Sequence, residues 1–273
     1  MDVEQTIFLG IIQGLTEFLP ISSSGHLVIF QHIIGLKNPE LLLDISLHVG
    51  PLLAVVIFFW DDLKLMLYET VNLVENLFHK EKKSGNCTQQ FPHAALIVWI
   101  IIGTIPTAFI GILLSPFFQT MFGSPFFVGF MLIVTGAMLA ASRFVPDQFT
   151  KKSHVGLMVS LAIGIAQGAA IIPGISRSGA TIVCGLFFGL NRELAGRFSF
   201  LLSIPAIIGA TIYRFNMKEI TEIGLMPFFV GIFVSFLVGL GALKITMNMV
   251  RKGNLFYFAP YCLLAGIIAI IIA

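Results

Sequence analysis

Long apolar runs, interrupted in two places by short polar turns, dominate this chain. Six stretches, roughly 41–60, 92–114, 124–142, 195–213, 225–247 and 255–273, are apolar enough to cross a bilayer. A crossing takes about 20 helical residues. Two other regions differ. Residues 7–35 are cut by PISSSGH, and residues 155–190 by PGISRSG. Proline, glycine and serine together stop a helix and turn the chain. The fragment after each cut is only about half a span long at ~1.5 Å per residue. Each region is therefore predicted to be a re-entrant hairpin, although 155–172 alone has the length of a span. Such turns are tolerated only when buried in protein or lining a cavity. The predicted fold is all-α: a polytopic membrane protein with six transmembrane helices and two re-entrant helical hairpins. Residues 1–273 form a single integral membrane domain. Residues 61–83 carry Leu63, Leu67, Val71, Val74 and Phe78 on one helical face, which predicts an interfacial helix.

The two interrupted regions match each other. Gln13 and Gln167, Ser22 and Ser176, and Pro51 and Pro205 are each separated by 154 positions. Each half thus contains one hairpin and three spans, about 1–142 and about 155–273. Three crossings is an odd number, so the second half begins on the opposite face. An inverted-topology repeat brings its broken segments together near the membrane midplane.

Composition narrows the class. Of 273 residues, 57% are hydrophobic and 11% charged, where a soluble domain carries about 25% charge. The net charge of +2 gives no footing for nucleic acid. The acidic start, MDVEQTIF, lacks a basic n-region, so no cleavable signal peptide is expected. Cys87, Cys184 and Cys262 are isolated and form no metal or disulfide pattern. Lys64, Lys80, Lys82, Lys83, Arg143, Lys151, Lys152, Arg192, Arg251 and Lys252 fall in loops on one side of the six spans. The other side has Lys37, Arg214 and Lys218. The positive-inside bias then places both termini outside.

The chemistry concentrates at the two turns. Arg177 sits in an apolar segment whose only other ionisable residue is Cys184, and a charge there needs a reason. Each turn precedes a helix, whose free N–H groups and positive end favour anions, phosphate above all. A guanidinium adds a planar fork suited to phosphate oxygens. Pairing with Glu17 alone would be the structural alternative for Arg177. In the first hairpin, Gln13 and Glu17 share a helical face at a spacing of four, and Ser23 and His26 are three apart. Taken singly, a serine-rich turn is usually a helix cap. Together, a serine, a histidine and a carboxylate beside a cationic anion site have the parts for phosphoryl chemistry. Asp44 and His48, four apart within a predicted span, are candidates for a supporting role.

QGLTEFLPISSSGHL at 13–27 and PGISRSGAT at 173–181 resemble the two signature motifs of the undecaprenyl-diphosphate phosphatase family, the bacitracin-resistance proteins. LDISLHVGPLLAV at 43–55 and the stretch at 192–205 also resemble it. The resemblance covers nearly the whole chain. It implies hydrolysis of the C55 lipid diphosphate to its monophosphate, which recycles the carrier lipid of cell-wall synthesis. It implies Glu17, Ser23, His26 and Arg177 as catalytic positions. Gln13, Ser22, Ser24, Gly25, Ser176, Ser178, Gly179 and Thr181 would contact substrate. It further implies a bacterial plasma-membrane location with the site opening to the periplasm. Stimulation by a loosely bound divalent cation such as Mg²⁺ is implied too, with Glu17 as its protein contact. The expected partners are a polyprenyl diphosphate and the bilayer, and a homodimer is compatible with the reading. The family's acidic motif takes Glu or Gln at its first position, and here it is Gln13.

Two other classes use similar parts. A lipid-phosphate flippase or secondary transporter shares inverted repeats and broken helices, but needs no nucleophile. An intramembrane Ser–His protease would not need Arg177.

Overall fold

The computed structural model describes residues 3–33, 41–78, 92–146, 148–214 and 224–273. The Asp44 and Arg214 side chains, together with Lys37, Lys80, Lys82, Lys83, Cys87 and Lys218, lie outside that description. The described chain is helical: α1 (Val3–Phe18), α2 (Ser23–Ile33), α3 (Leu41–Phe58), α4 (Trp60–Phe78), α5 (Pro92–Leu114), α6 (Phe118–Phe122), α7 (Pro125–Ala141), α8 (Leu157–Ala169), α9 (Arg177–Phe187), α10 (Arg192–Arg214), α11 (Leu225–Arg251) and α12 (Ala259–Ile272).

Five helices are long and apolar enough to cross a membrane: α5, α7, α10, α11 and α12, the last with the turn before it. The sixth expected span, 41–60, is helix α3, whose described apolar part is Leu47–Phe58. The two interrupted regions break where the polar turns predict. The arms α1, α2, α8 and α9 have 16, 11, 13 and 11 residues, all short of a full crossing.

Small residues let the broken helices lie close to their neighbours. Helix α1 packs on α11, and α8 packs on α5. A Cβ on Gly14 would come within 2.7 Å of Ser235 O, and one on Gly164 within 2.1 Å of Gly103 O. Backbones that near exclude any larger side chain, as small-residue contacts between membrane helices do. Thr107 Oγ1 bridges the second pair by donating to Gly164 O at 2.8 Å. Phe18, Phe198, Leu201, Leu202 and Leu243 are almost fully buried in the central apolar cluster.

One end of the bundle carries the polar contacts. Asp62 of α4 pairs with Arg197 of α10 at 2.5 Å, and Glu193 pairs with Arg251 at 2.7 Å. Lys152 Nζ donates to Phe188 O at 2.8 Å, and the Arg143 guanidinium lies 5.4 Å from the centre of the Phe256 ring. Helix α4 is joined to α5 by Glu69, which accepts from His93 N at 2.7 Å and Ala94 N at 3.0 Å. Those are orphan donors of the first turn of α5. Partial burial alone would raise the Glu69 carboxyl, but the Ala94 and His93 donors outweigh it and hold the group below its ordinary range. Met66 is buried while Leu67, Val71 and Val74 are exposed, so α4 keeps an outward apolar face.

Candidate functional site

Ser23 and Arg177 are the first residues of α2 and α9. The residue before each is a serine that caps the helix. Gly25 N donates to Ser22 Oγ at 3.2 Å, and Gly179 N donates to Ser176 Oγ at 3.1 Å. The hydroxyls of Ser22 and Ser24 are 3.3 Å apart, as are those of Ser176 and Ser178. The two turns thus use the same local chemistry, as the sequence match suggests. They also touch: a Cβ on Gly25 would lie 3.1 Å from Gly174 Cα. Thr135 of α7 secures the second turn. Its hydroxyl donates to Gly174 O at 2.8 Å and accepts from Ser176 N at 3.0 Å.

Glu17, in the last turn of α1, is the hub. Its Oε2 accepts from Gln13 Nε2 at 2.9 Å and from Ser23 Oγ at 2.5 Å, and it faces His48 Nε2 at 3.3 Å. Its Oε1 accepts a hydrogen bond from Arg177 Nη2 in an ion pair. The carboxylate is buried and paired, as a charge in an apolar setting must be. The pairing expected of Arg177 as a structural alternative is therefore present, and it sits on the wall of a cavity.

That cavity has a volume of about 460 Å³. Its polar end is lined by Glu17, Ser22, Ser23, Ser24, His48 and Arg177, with Ser176 beside them. Away from the turns its wall is mostly apolar, with the small residues Ala108, Gly111, Ala206, Gly209 and Ala210 beside Thr104, Thr107, Gln167, Thr211 and Tyr213, bounded by Phe118 and Phe122. Apart from Gln167 of α8, these residues belong to the C-terminal halves of α5 and α10 and to α6. The cavity therefore reaches toward the end of the bundle opposite Arg192, Lys152 and Arg251.

The other expected site residues are behind this wall. Gln13 is fully buried against Glu17, and among the described residues its Oε1 has no hydrogen-bond partner. Ser178 Oγ reaches Leu19 O at 3.4 Å, and Thr181 Oγ1 donates to Arg177 O at 2.8 Å. His26 is directed elsewhere. Its Nδ1 lies 2.8 Å from Ser22 O and its Nε2 lies 2.7 Å from Tyr261 OH. It does not line the cavity. His48 takes the place beside Glu17. An ionisable residue inside an apolar run marks His48 in the sequence. Nothing marks Tyr261, one of two tyrosines, with Tyr257, where a span begins.

A metal held by the protein does not fit these residues. All described contacts to the Glu17 carboxylate are with donor groups, one of them the Arg177 cation. Among the described residues no group of three or more His, Cys, Asp or Glu side chains could hold a metal ion.

Known proteins share this chain from end to end. The family model for the bacitracin resistance protein BacA matches residues 6–268. The undecaprenyl-diphosphatase of Desulforapulum autotrophicum is 43% identical over 272 residues, covering 99% of this chain and 98% of that protein. The one of Halothermothrix orenii is 42% identical over 278 aligned residues, covering 100% and 99%. The one of Methanosphaera stadtmanae is 40% identical over 280, again covering 100% and 99%. The chain therefore belongs to the BacA family of bacitracin resistance proteins.

Proposed function

We infer that this chain is an undecaprenyl-diphosphatase: a membrane enzyme that hydrolyses undecaprenyl diphosphate to the monophosphate and phosphate. That activity recycles the lipid carrier for cell-wall synthesis and underlies bacitracin resistance. The observation that carries the reading is the meeting of Ser23, Glu17 and Arg177 where two helix N-termini face one cavity.

The geometry supports a two-step reaction. The lipid tail lies along the apolar part of the cavity, and the diphosphate enters between the two turns. Its negative charge competes with Glu17 for the Arg177 guanidinium, which grips phosphate oxygens strongly. Glu17, drawn less tightly by Arg177, becomes a better base. Ser23 Oγ attacks the terminal phosphorus and passes its proton to Glu17 Oε2. The bridging oxygen leaves with the lipid monophosphate. Water then attacks the phosphoserine, the bond from phosphorus to Ser23 Oγ breaks, Glu17 returns its proton to Ser23 Oγ, and phosphate departs carrying the oxygen and protons of the water. Arg177, the Ser176 hydroxyl and the N–H groups of both helix starts hold the shifting charge. His48 steadies Glu17 from α3. A divalent cation would screen the diphosphate charge.

The matched turns support an inverted-topology repeat, and so does the packing of α1 on α11 and of α8 on α5. A cavity that reaches away from the basic end supports a periplasmic opening and external termini in a bacterial plasma membrane. Purified protein in detergent, where no gradient exists, should release phosphate from undecaprenyl diphosphate. Tight binding without release would point instead to a flippase or transporter using the same anion site.

A further inference from the structure

Tyr261 lies 235 residues from His26 in sequence, yet the two side chains form a stacked, hydrogen-bonded pair. Their ring centres are 5.6 Å apart with the planes 6° from parallel, and His26 Nε2 is 2.7 Å from the tyrosine hydroxyl. The other ring nitrogen, Nδ1, is 2.8 Å from Ser22 O. A backbone carbonyl only accepts, so Nδ1 must carry a proton. In a neutral ring Nε2 then accepts from the tyrosine. In a charged ring it donates to the tyrosine oxygen. Either way both nitrogens are committed, and neither has a lone pair for Ser23, whose hydroxyl is given to Glu17.

Ser22 is the one non-glycine residue with positive φ among the described residues, at 69°. A serine holds that left-handed conformation only when its surroundings impose it. Those surroundings are visible. Ser22 O accepts from the His26 side chain and from His26 N at 3.2 Å, and Ser22 Oγ accepts from Gly25 N. The conformation of Ser22 sets the direction of the next residue, Ser23.

We propose that Tyr261 is a positioning residue of the reaction. Its hydroxyl fixes the His26 ring, the ring fixes the Ser22 carbonyl, and the braced turn aims Ser23 at the terminal phosphorus. His26 acts as a strut in this chain of contacts, not as a base or nucleophile. The proposal rests on the reading of Ser23 as the attacking group.

The test is steady-state kinetics of phosphate release by the purified full-length protein. Tyr261→Phe keeps the ring and removes the hydroxyl. It should lower kcat about tenfold with KM nearly unchanged, as a small misplacement of a reacting group does. Ser22→Gly supplies a residue that adopts positive φ freely. In that background Tyr261→Phe should cause no further loss, because the brace is no longer needed. His26→Asn places an amide N–H near the Nδ1 position and should stay within about tenfold of Tyr261→Phe. A histidine acting as base would lose about a hundredfold or more. Wild-type kcat in Tyr261→Phe would overturn the proposal, as would losses that multiply with Ser22→Gly. If Tyr261→Phe does not fold, nitrogen NMR of the wild-type protein decides. A protonated Nδ1 with a hydrogen-bonded Nε2 supports the strut, and a bare Nδ1 overturns it. Full activity in Ser23→Ala would instead remove the underlying reading.

Discussion

Arg177 and Glu17, 160 positions apart, are joined in an ion pair at the point where α9 and α1 meet. A buried pair of this kind contributes little stability by itself, since desolvation offsets the attraction. Its position on a cavity wall beside Ser23 gives it another use. On the proposed mechanism it stores a phosphate-binding cation on the carboxylate that later accepts a proton, so substrate binding and base activation would be one event.

Arg177→Lys should therefore be far less active, although the charge is kept. A guanidinium can hold Glu17 and phosphate oxygens with several donors in a fixed plane, whereas an ammonium is a point charge. The expected loss is about a hundredfold in kcat, in line with removal of a transition-state donor. A raised KM at unchanged kcat would mean that Arg177 only docks the diphosphate.

Glu17→Gln should lower kcat about a hundredfold or more, since an amide cannot take the Ser23 proton. Gln13→Glu should cost far less, because Gln13 touches Glu17 and not the cavity. Equal effects from the two substitutions would remove Glu17 as the proton acceptor.

Much of this arrangement is legible in the sequence. Apolar runs and Pro-Gly-Ser punctuation give the helices and their breaks to within a few residues, because length and turn chemistry are local properties. The 154-residue spacing identifies Ser22 with Ser176, and both indeed cap their helices with the same bond. Partner choice is different. Ser23 and His26 are three apart, yet Ser23 bonds Glu17 and His26 bonds Tyr261. The positive φ of Ser22 sets the turn just before both residues, and local spacing carries no trace of it. His48 is singled out by its charge, but only packing of α3 on α1 brings it to Glu17.

Glu69→Gln should weaken the attachment of α4 to α5 by about 1 kcal/mol, the usual worth of a helix cap. The carboxyl is held below its ordinary range by the donors of Ala94 and His93. Its contribution is thus fully present above the ordinary carboxylate pKa and is lost as pH falls through the folded value. Melting temperatures of wild type and Glu69→Gln should differ near neutrality and converge in acid. A constant gap across that range would show that the cap does not depend on the charge.

Sidedness can be read by labelling from outside the cell. In a cysteine-free background, Thr120→Cys, near the cavity, should react with an impermeant maleimide, and Lys152→Cys should not. Both positions are exposed. Reversed labelling would turn the molecule over in the membrane and place the cavity mouth in the cytoplasm.

Single-turnover phosphate release from undecaprenyl diphosphate, measured for Ser23→Ala beside Ser24→Ala, bears most directly on the mechanism. Both substitutions remove one hydroxyl from the same turn and the same cavity wall. Ser23→Ala should release phosphate about a thousandfold more slowly than wild type, as loss of a nucleophile does. Ser24→Ala should stay within about tenfold. Comparable rates for Ser23→Ala and wild type would contradict attack by Ser23 and leave water as the nucleophile.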